Sequence, residues 1–144
     1  MPLSYVLDTD VMVAALRSKK GASRQLLRAA LDSQFELLLS VPLLPEYEAV
    51  LTRPAHLTVS GLSSAEVGKF MDNLALVAKQ VRQASRWRTQ LPDANDDMVL
   101  ETPINGAATG VVTFNTRDFT NVCSKFGCAV LLPAAALIQL GSSS

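Results

Sequence analysis

Short apolar runs alternate along the chain with polar turns and with segments of helical hydrophobic period. The clearest run, at 3–7, is followed at once by Asp8, Thr9 and Asp10 and then by a helical stretch. Runs of this length indicate buried strands of a parallel sheet. A carboxylate at the carboxyl end of such a strand lies where open α/β sheets keep their binding sites. The alternative is that Asp8 or Thr9 only caps the next helix, because both residue types are favoured N-caps.

The rest of the chain also alternates between extended and helical patterns. Ser63 and Glu66 form a capping box, so a helix begins there. Strands that alternate with helices predict an α/β fold, here a three-layer α/β/α sandwich around a central parallel sheet of four or five strands. We expect one domain at 1–140 and a flexible end at 141–144. The predicted helices are 9–18, 22–33, 42–53, 63–80, a segment from 96, and 133–140; the predicted strands are 3–7, 35–41, a weak piece near 81, 110–114 and 128–132; loops are predicted at 54–62 and 86–95.

Composition narrows the function classes. Thirteen basic and thirteen acidic residues cancel in a chain of 144 residues that is 49% hydrophobic, so no global basic field points to nucleic acid. No apolar run approaches the ~18 residues of a membrane span, and no signal-peptide pattern is present. Cys123 and Cys128 lack zinc-site spacing and are read as free thiols in a reducing cytoplasm. A single histidine, His56, argues against His-rich zinc sites and Ser-His-Asp catalysis.

Acidic and amide side chains recur at comparable places in the predicted elements. Because the carboxyl ends of parallel strands meet at one edge, we expect these side chains to converge there. Gathered carboxylates repel one another unless a cation neutralises them, and hard oxygen ligands suit Mg²⁺ or Mn²⁺. Taken singly, each acid could equally be a helix cap or a first-turn acid. The residues concerned are Asp8, Glu46, Asp96, Asp97, Asn115 and Asp118.

Four motifs in this order resemble those of PIN-domain proteins, in particular the VapC-like group of bacterial toxins that pair with an antitoxin. They are Val-Leu-Asp-Thr-Asp-Val at 6–11, Leu-Leu-Pro-Glu-Tyr-Glu-Ala-Val-Leu at 43–51, Pro-Asp-Ala-Asn-Asp-Asp-Met-Val-Leu-Glu at 92–101, and Val-Thr-Phe-Asn-Thr-Arg-Asp-Phe at 112–119. The resemblance implies a cytoplasmic, Mg²⁺- or Mn²⁺-dependent endoribonuclease that pairs with itself and binds a small antitoxin protein. It implies Asp8, Glu46 and Asp96 as the catalytic and metal-binding acids, with Asp97 as the fallback for the third.

The chain departs from the family pattern in its last motif. Asn115 stands where many members have an acid, and Asp118 follows three residues later, so either could supply the fourth metal ligand. Asp10 stands where the family often has Asn or Ser. It is grouped as a supporting residue with Thr9 and Thr113, which are interpreted as supporting the site through hydrogen bonds, although simple strand-end roles fit these two threonines equally well.

Two surfaces could bind macromolecules. A basic cluster around the first two helices could contact RNA phosphates, although a solvated face is the commoner explanation. The helix at 63–80 carries Phe70, Met71 and Leu74, which we interpret as a candidate dimer surface. The members of the basic cluster are Arg17, Lys19, Lys20, Arg24 and Arg28.

Two other functions compete with the ribonuclease. Asp8-Thr9-Asp10 after an apolar strand also resembles the haloacid-dehalogenase phosphatase motif, in which Asp8 would be a nucleophile and Asp96 and Asp97 the metal pair. The chain is short for that family, and Glu46 would have no role in it. The third reading is a degenerate PIN domain, marked by Asn115, that binds RNA or a protein without cleavage.

Overall fold

The first strand lies at the centre of the sheet. In the computed structural model, which describes residues 3–40, 43–81, 110–123 and 129–143, strand β1 spans Ser4–Leu7. Its residues Tyr5 to Leu7 are completely buried, as expected for a strand covered on both faces. On one side β1 pairs in parallel with β2, and on the other with β4, so that Tyr5 lies between Leu37 and Gly110.

In the described part of the chain, five strands form one sheet in the order β3-β2-β1-β4-β5, and each of their pairings is parallel. This confirms the predicted α/β fold with a parallel sheet of four or five strands. Gly110 lies where β4 approaches β5 closely, since a Cβ there would be 2.9 Å from the carbonyl oxygen of Ala129. The strands are β2 at Glu36–Ser40, β3 at Lys79–Val81, β4 at Gly110–Val112 and β5 at Ala129–Leu131.

Helices flank the sheet and connect its strands. The capping box at Ser63 and Glu66 is present, and the helix after it ends at Val77, three residues before the predicted end. The closing helix reaches Ser143, past the predicted end at 140. The described helices are α1 at Thr9–Arg17, α2 at Ala22–Leu31, α3 at Leu43–Leu51, α4 at Pro54–Ser60, α5 at Ser64–Val77, α6 at Thr116–Cys123 and α7 at Pro133–Ser143.

Helix α4 replaces the predicted loop at 54–62, so that prediction is wrong. Pro54 begins the helix at a position where its missing N–H costs nothing, and Gly61 ends it with a φ of 76°. None of its residues is buried, so the segment lacks the apolar period by which the other helices were recognised. The predicted loop at 86–95 and the predicted helix from 96 lie outside the described residues.

The core joins both layers of helices to the sheet. Tyr5, Tyr47 and Phe119 are its largest fully buried side chains. Met71 and Leu74 are also buried in this core, and Phe70 packs against it. The prediction that these three residues form a dimer surface is therefore wrong, because this face of α5 packs inside the monomer. Within the described ranges, no helix combines the length and apolarity that a membrane span requires.

Candidate active site

Asp8 lies at the junction of β1 and α1 and is held from both sides. Its backbone N–H donates to the carbonyl of Val112 on β4 at 2.9 Å. One carboxylate oxygen, Oδ1, accepts the N–H of Thr9 at 2.7 Å and caps α1. The other, Oδ2, accepts the hydroxyl of Thr113 at 2.6 Å. Asp8 is therefore both a helix cap and a buried carboxylate, 6% exposed, at the carboxyl edge of the sheet.

Thr113 links the two central strands at this edge. It directly follows β4 and is completely buried. Its hydroxyl donates to Asp8 and at the same time accepts the backbone N–H of Asn115 at 2.9 Å. One hydroxyl thus fixes both the carboxylate of Asp8 and the start of the segment that leads into α6.

Asp10 brings a second carboxylate to the same place. Its Oδ2 accepts the backbone N–H of Phe114 at 3.1 Å, whereas its Oδ1 is buried with no hydrogen-bond partner found for it. Burial, followed by the negative charge of Asp8, raises the pKa of Asp10 to about 6, although the N–H groups of Phe114 and Val11 and the hydroxyl of Thr113 oppose the rise. The sequence interpretation gave Asp10 only a supporting role. The signal for a larger role is that Asp8 and Asp10 are separated by a single residue in the sequence.

Tyr47 ties helix α3 to the carboxyl end of β1. Its hydroxyl donates to the carbonyl of Leu7, and its ring is fully buried. Burial raises the pKa of Tyr47 well above its usual value, and the nearby charge of Asp8 adds to the effect. Glu46 directly precedes Tyr47 in the first turn of α3. Within the described part of the chain, however, no three His, Cys, Asp or Glu side chains lie close enough together to hold a metal ion.

The comparison with known families shows the family to which the chain belongs. A family described as PIN domain matches residues 4–117, which include β1, Asp8, Asp10, Glu46 and Thr113. The chain belongs to the PIN domain family. The comparisons with curated proteins and with solved structures found no significant match. PIN domains are generally metal-dependent nucleases, and this membership argues against the phosphatase resemblance.

The other predicted site residues of this PIN domain have fewer described contacts. Asn115 is partly exposed, and its N–H donates to Thr113, so it lies beside the carboxylate pair. Asp118 belongs to α6. Asp96 and Asp97 lie outside the described residues.

The basic cluster lies toward the far end of α1 from Asp8. Helix α1 has nine residues, about 13 Å, and Lys19 follows its last turn. Arg24 donates its Nε–H to the carbonyl of Ala15 at 2.5 Å and so gives a hydrogen-bond donor to a carbonyl in the last turn of α1. Lys19, Arg24 and Arg28 line a groove of about 660 Å³ with Lys69 of α5. Arg17 and Lys20 are exposed nearby.

The donor chemistry at Asp8 and Asp10 fits a hard divalent cation. The carboxylate of Asp10 lies close enough to buried Asp8 to feel its charge, and Oδ1 of Asp10 lacks the hydrogen bond that a buried carboxylate oxygen normally has. A cation there would satisfy that oxygen and remove the repulsion between the two charges. Carboxylate oxygens without sulfur or imidazole favour Mg²⁺ or Mn²⁺.

Proposed function

We propose that this PIN domain is a Mg²⁺- or Mn²⁺-dependent endoribonuclease that hydrolyses phosphodiester bonds in RNA. The observation that carries the proposal is the pair of carboxylates at the carboxyl edge of the sheet: Asp8 is buried, and Asp10 is half-buried with no hydrogen-bond partner found for its buried Oδ1. This edge is where open parallel sheets bind their ligands. Membership of the PIN family supports the same chemistry.

In this proposal Asp8 and Asp10 are the ligands that the folded chain presents. Thr113 orients Asp8 through its hydroxyl, and the Phe114 N–H orients Asp10. When bound, a divalent ion of this kind activates water and stabilises the charge that develops during phosphodiester hydrolysis. A proton on Asp10 would compete with the cation, so the raised pKa of Asp10 weakens binding below about pH 6.

Further acids complete the proposed site. We propose Glu46 as a further ligand, because its neighbour Tyr47 is hydrogen-bonded to Leu7 at the end of β1. We propose Asp96 as the third acid of the family motif, with Asp97 as its fallback. Asn115 or Asp118 would supply the last oxygen.

Metal-dependent RNA cleavage is the test. The wild-type chain should cleave single-stranded RNA in Mn²⁺ or Mg²⁺ and lose the activity in EDTA. Asp8→Asn should abolish cleavage while circular dichroism shows the fold intact, because the amide still caps α1 but brings no charge. Asp72→Asn, a change at an exposed carboxylate on α5, is the matched control and should leave activity unchanged. Cleavage that persists in EDTA or in Asp8→Asn would refute the proposal.

We further propose that the chain is the toxin of a cytoplasmic toxin–antitoxin pair and that it forms a homodimer. The VapC-like order of its four motifs supports this role. The neighbouring reading frame should then encode a small DNA-binding protein whose co-expression relieves growth inhibition by this chain. Light scattering that gives a monomer at every concentration would contradict the dimer.

A further inference from the structure

An apolar groove begins beside the carboxylate pair. Phe114, whose N–H is bound to Asp10, turns its ring to the surface with 52% of the residue exposed. Leu132, at the end of β5, is 48% exposed and lines the same groove of about 340 Å³. An aromatic ring left exposed at a catalytic edge is unusual, because burying it would stabilise the fold.

Helix α1 carries residues of both the groove and the carboxylate site. Ala14 and Ser18 line the groove, and they follow Asp10 at intervals of four residues, so all three lie on one face. One such interval is about 6 Å along the helix axis. Ala14 and Ser18 have small side chains, and Phe114 lines the same groove. An RNA chain whose phosphate is bound through a cation at the carboxylates could therefore place its next group in this groove.

The chemistry of the groove walls selects the kind of group. Among the residues that the structure describes, no charged side chain lines this groove, in contrast to the basic groove at the far end of α1. Gly21 and Ala22 at the start of α2 and Pro133 at the start of α7 also border it, and α2 has no side-chain cap. Uncapped backbone N–H groups tolerate an anion nearby, which an apolar peptide side chain would not supply. A flat apolar group attached to a phosphate matches both features.

We propose that this groove binds a nucleobase of the RNA substrate, stacked on Phe114, beside Asp8 and Asp10, where the proposed divalent cation would hold the neighbouring phosphate. The inference rests on the proposed nuclease function and adds to it a base-stacking residue that positions the strand. Every base offers a π-face, so stacking of this kind is tolerant of sequence. The groove volume is near the lower end of the roughly 300–1,000 Å³ range of small-ligand sites, which suits one base better than a protein helix.

Equilibrium binding in EDTA tests the proposal apart from catalysis. The probes are a fluorescent single-stranded RNA and an abasic ribose-phosphate chain of the same length, measured by anisotropy. Phe114→Ala should weaken RNA binding by about fivefold to a hundredfold, the range for one base stacked on an aromatic ring. The same change should leave binding to the abasic chain unaltered. Phe114→Tyr should bind RNA as the wild type does, whereas Phe114→Leu, which keeps apolar area without a π-face, should remain weakened.

The control variant is Leu76→Ala, which removes another exposed apolar side chain, 84% exposed on α5, and should change neither affinity. Equal RNA affinity for Phe114→Ala and the wild type would overturn the proposal and leave a protein partner as the occupant of the groove. An equal loss on the abasic chain would overturn it too, because the ring would then act through the backbone. If the RNA-specific loss is found but the wild type does not cleave RNA in Mn²⁺, the nuclease proposal fails while the base site stands.

Discussion

Thr113→Val removes the hydroxyl that joins the two central strands at the candidate site. Valine keeps the shape of the side chain, so packing in this fully buried position changes little. The variant loses the hydrogen bond to Oδ2 of Asp8 and leaves the N–H of Asn115 without its acceptor. A hydrogen bond to a charged group contributes about 1.5–3 kcal/mol, so we expect the free energy of unfolding to fall by roughly 2–3 kcal/mol.

Urea unfolding followed by circular dichroism at neutral pH in EDTA measures this loss. With a slope of about 1.5–2 kcal/mol per molar urea, the midpoint should fall by about 1–2 M at an unchanged slope. Thr113→Ser is the matched control, because it loses a methyl group but keeps the hydroxyl. It should keep most of the stability that Thr113→Val loses. A Thr113→Val variant within about 0.5 kcal/mol of the wild type, or a serine variant no more stable than the valine one, would refute the reasoning.

Two further predictions concern the charge of the site. Because the pKa of Asp10 is raised to about 6 in the folded chain, the folded state holds this proton more tightly than the unfolded state does. The stability that Asp10 contributes is thus greatest below its unfolded pKa of about 4 and is lost as the pH rises through about 6. Asp10→Asn should flatten this part of the profile of unfolding free energy against pH, measured by urea unfolding without metal. An unchanged profile would contradict the raised pKa of Asp10. Asn115→Asp should lower the Mg²⁺ or Mn²⁺ concentration needed for RNA cleavage, since it adds a charge beside the pair; an unchanged metal titration would remove Asn115 from the metal shell and favour Asp118.

The position of Asp8 could be predicted from the sequence because two local signals coincide there. A short apolar run predicts the buried strand, and a carboxylate directly after it predicts a site at the sheet edge. The capping alternative was also right, since Asp8 caps α1 with one oxygen and binds Thr113 with the other. A local pattern could not separate these roles, because a carboxylate has two oxygens and can fill both.

The environment of Asp10 could not be predicted in the same way. Its hydrogen bond comes from Phe114, 104 residues later in the chain, and its raised pKa depends on burial that only the folded sheet creates. Helix α4 could not be predicted either, but for a local reason. It is formed by local capping at Pro54 and Gly61 without any buried face, and the hydrophobic period carries no information about such a helix.

The hydrogen bond between Asp8 and Thr113 also sets an order of events during synthesis. The two residues are 105 positions apart, and β2 and β3 lie between them in the chain. At roughly 5–20 residues per second, a ribosome needs about 5–20 s to reach Thr113 after it has made Asp8. Throughout that interval the nascent chain carries the carboxylate pair without strand β4 beside it. The complete carboxylate corner therefore forms only after most of the chain has been made.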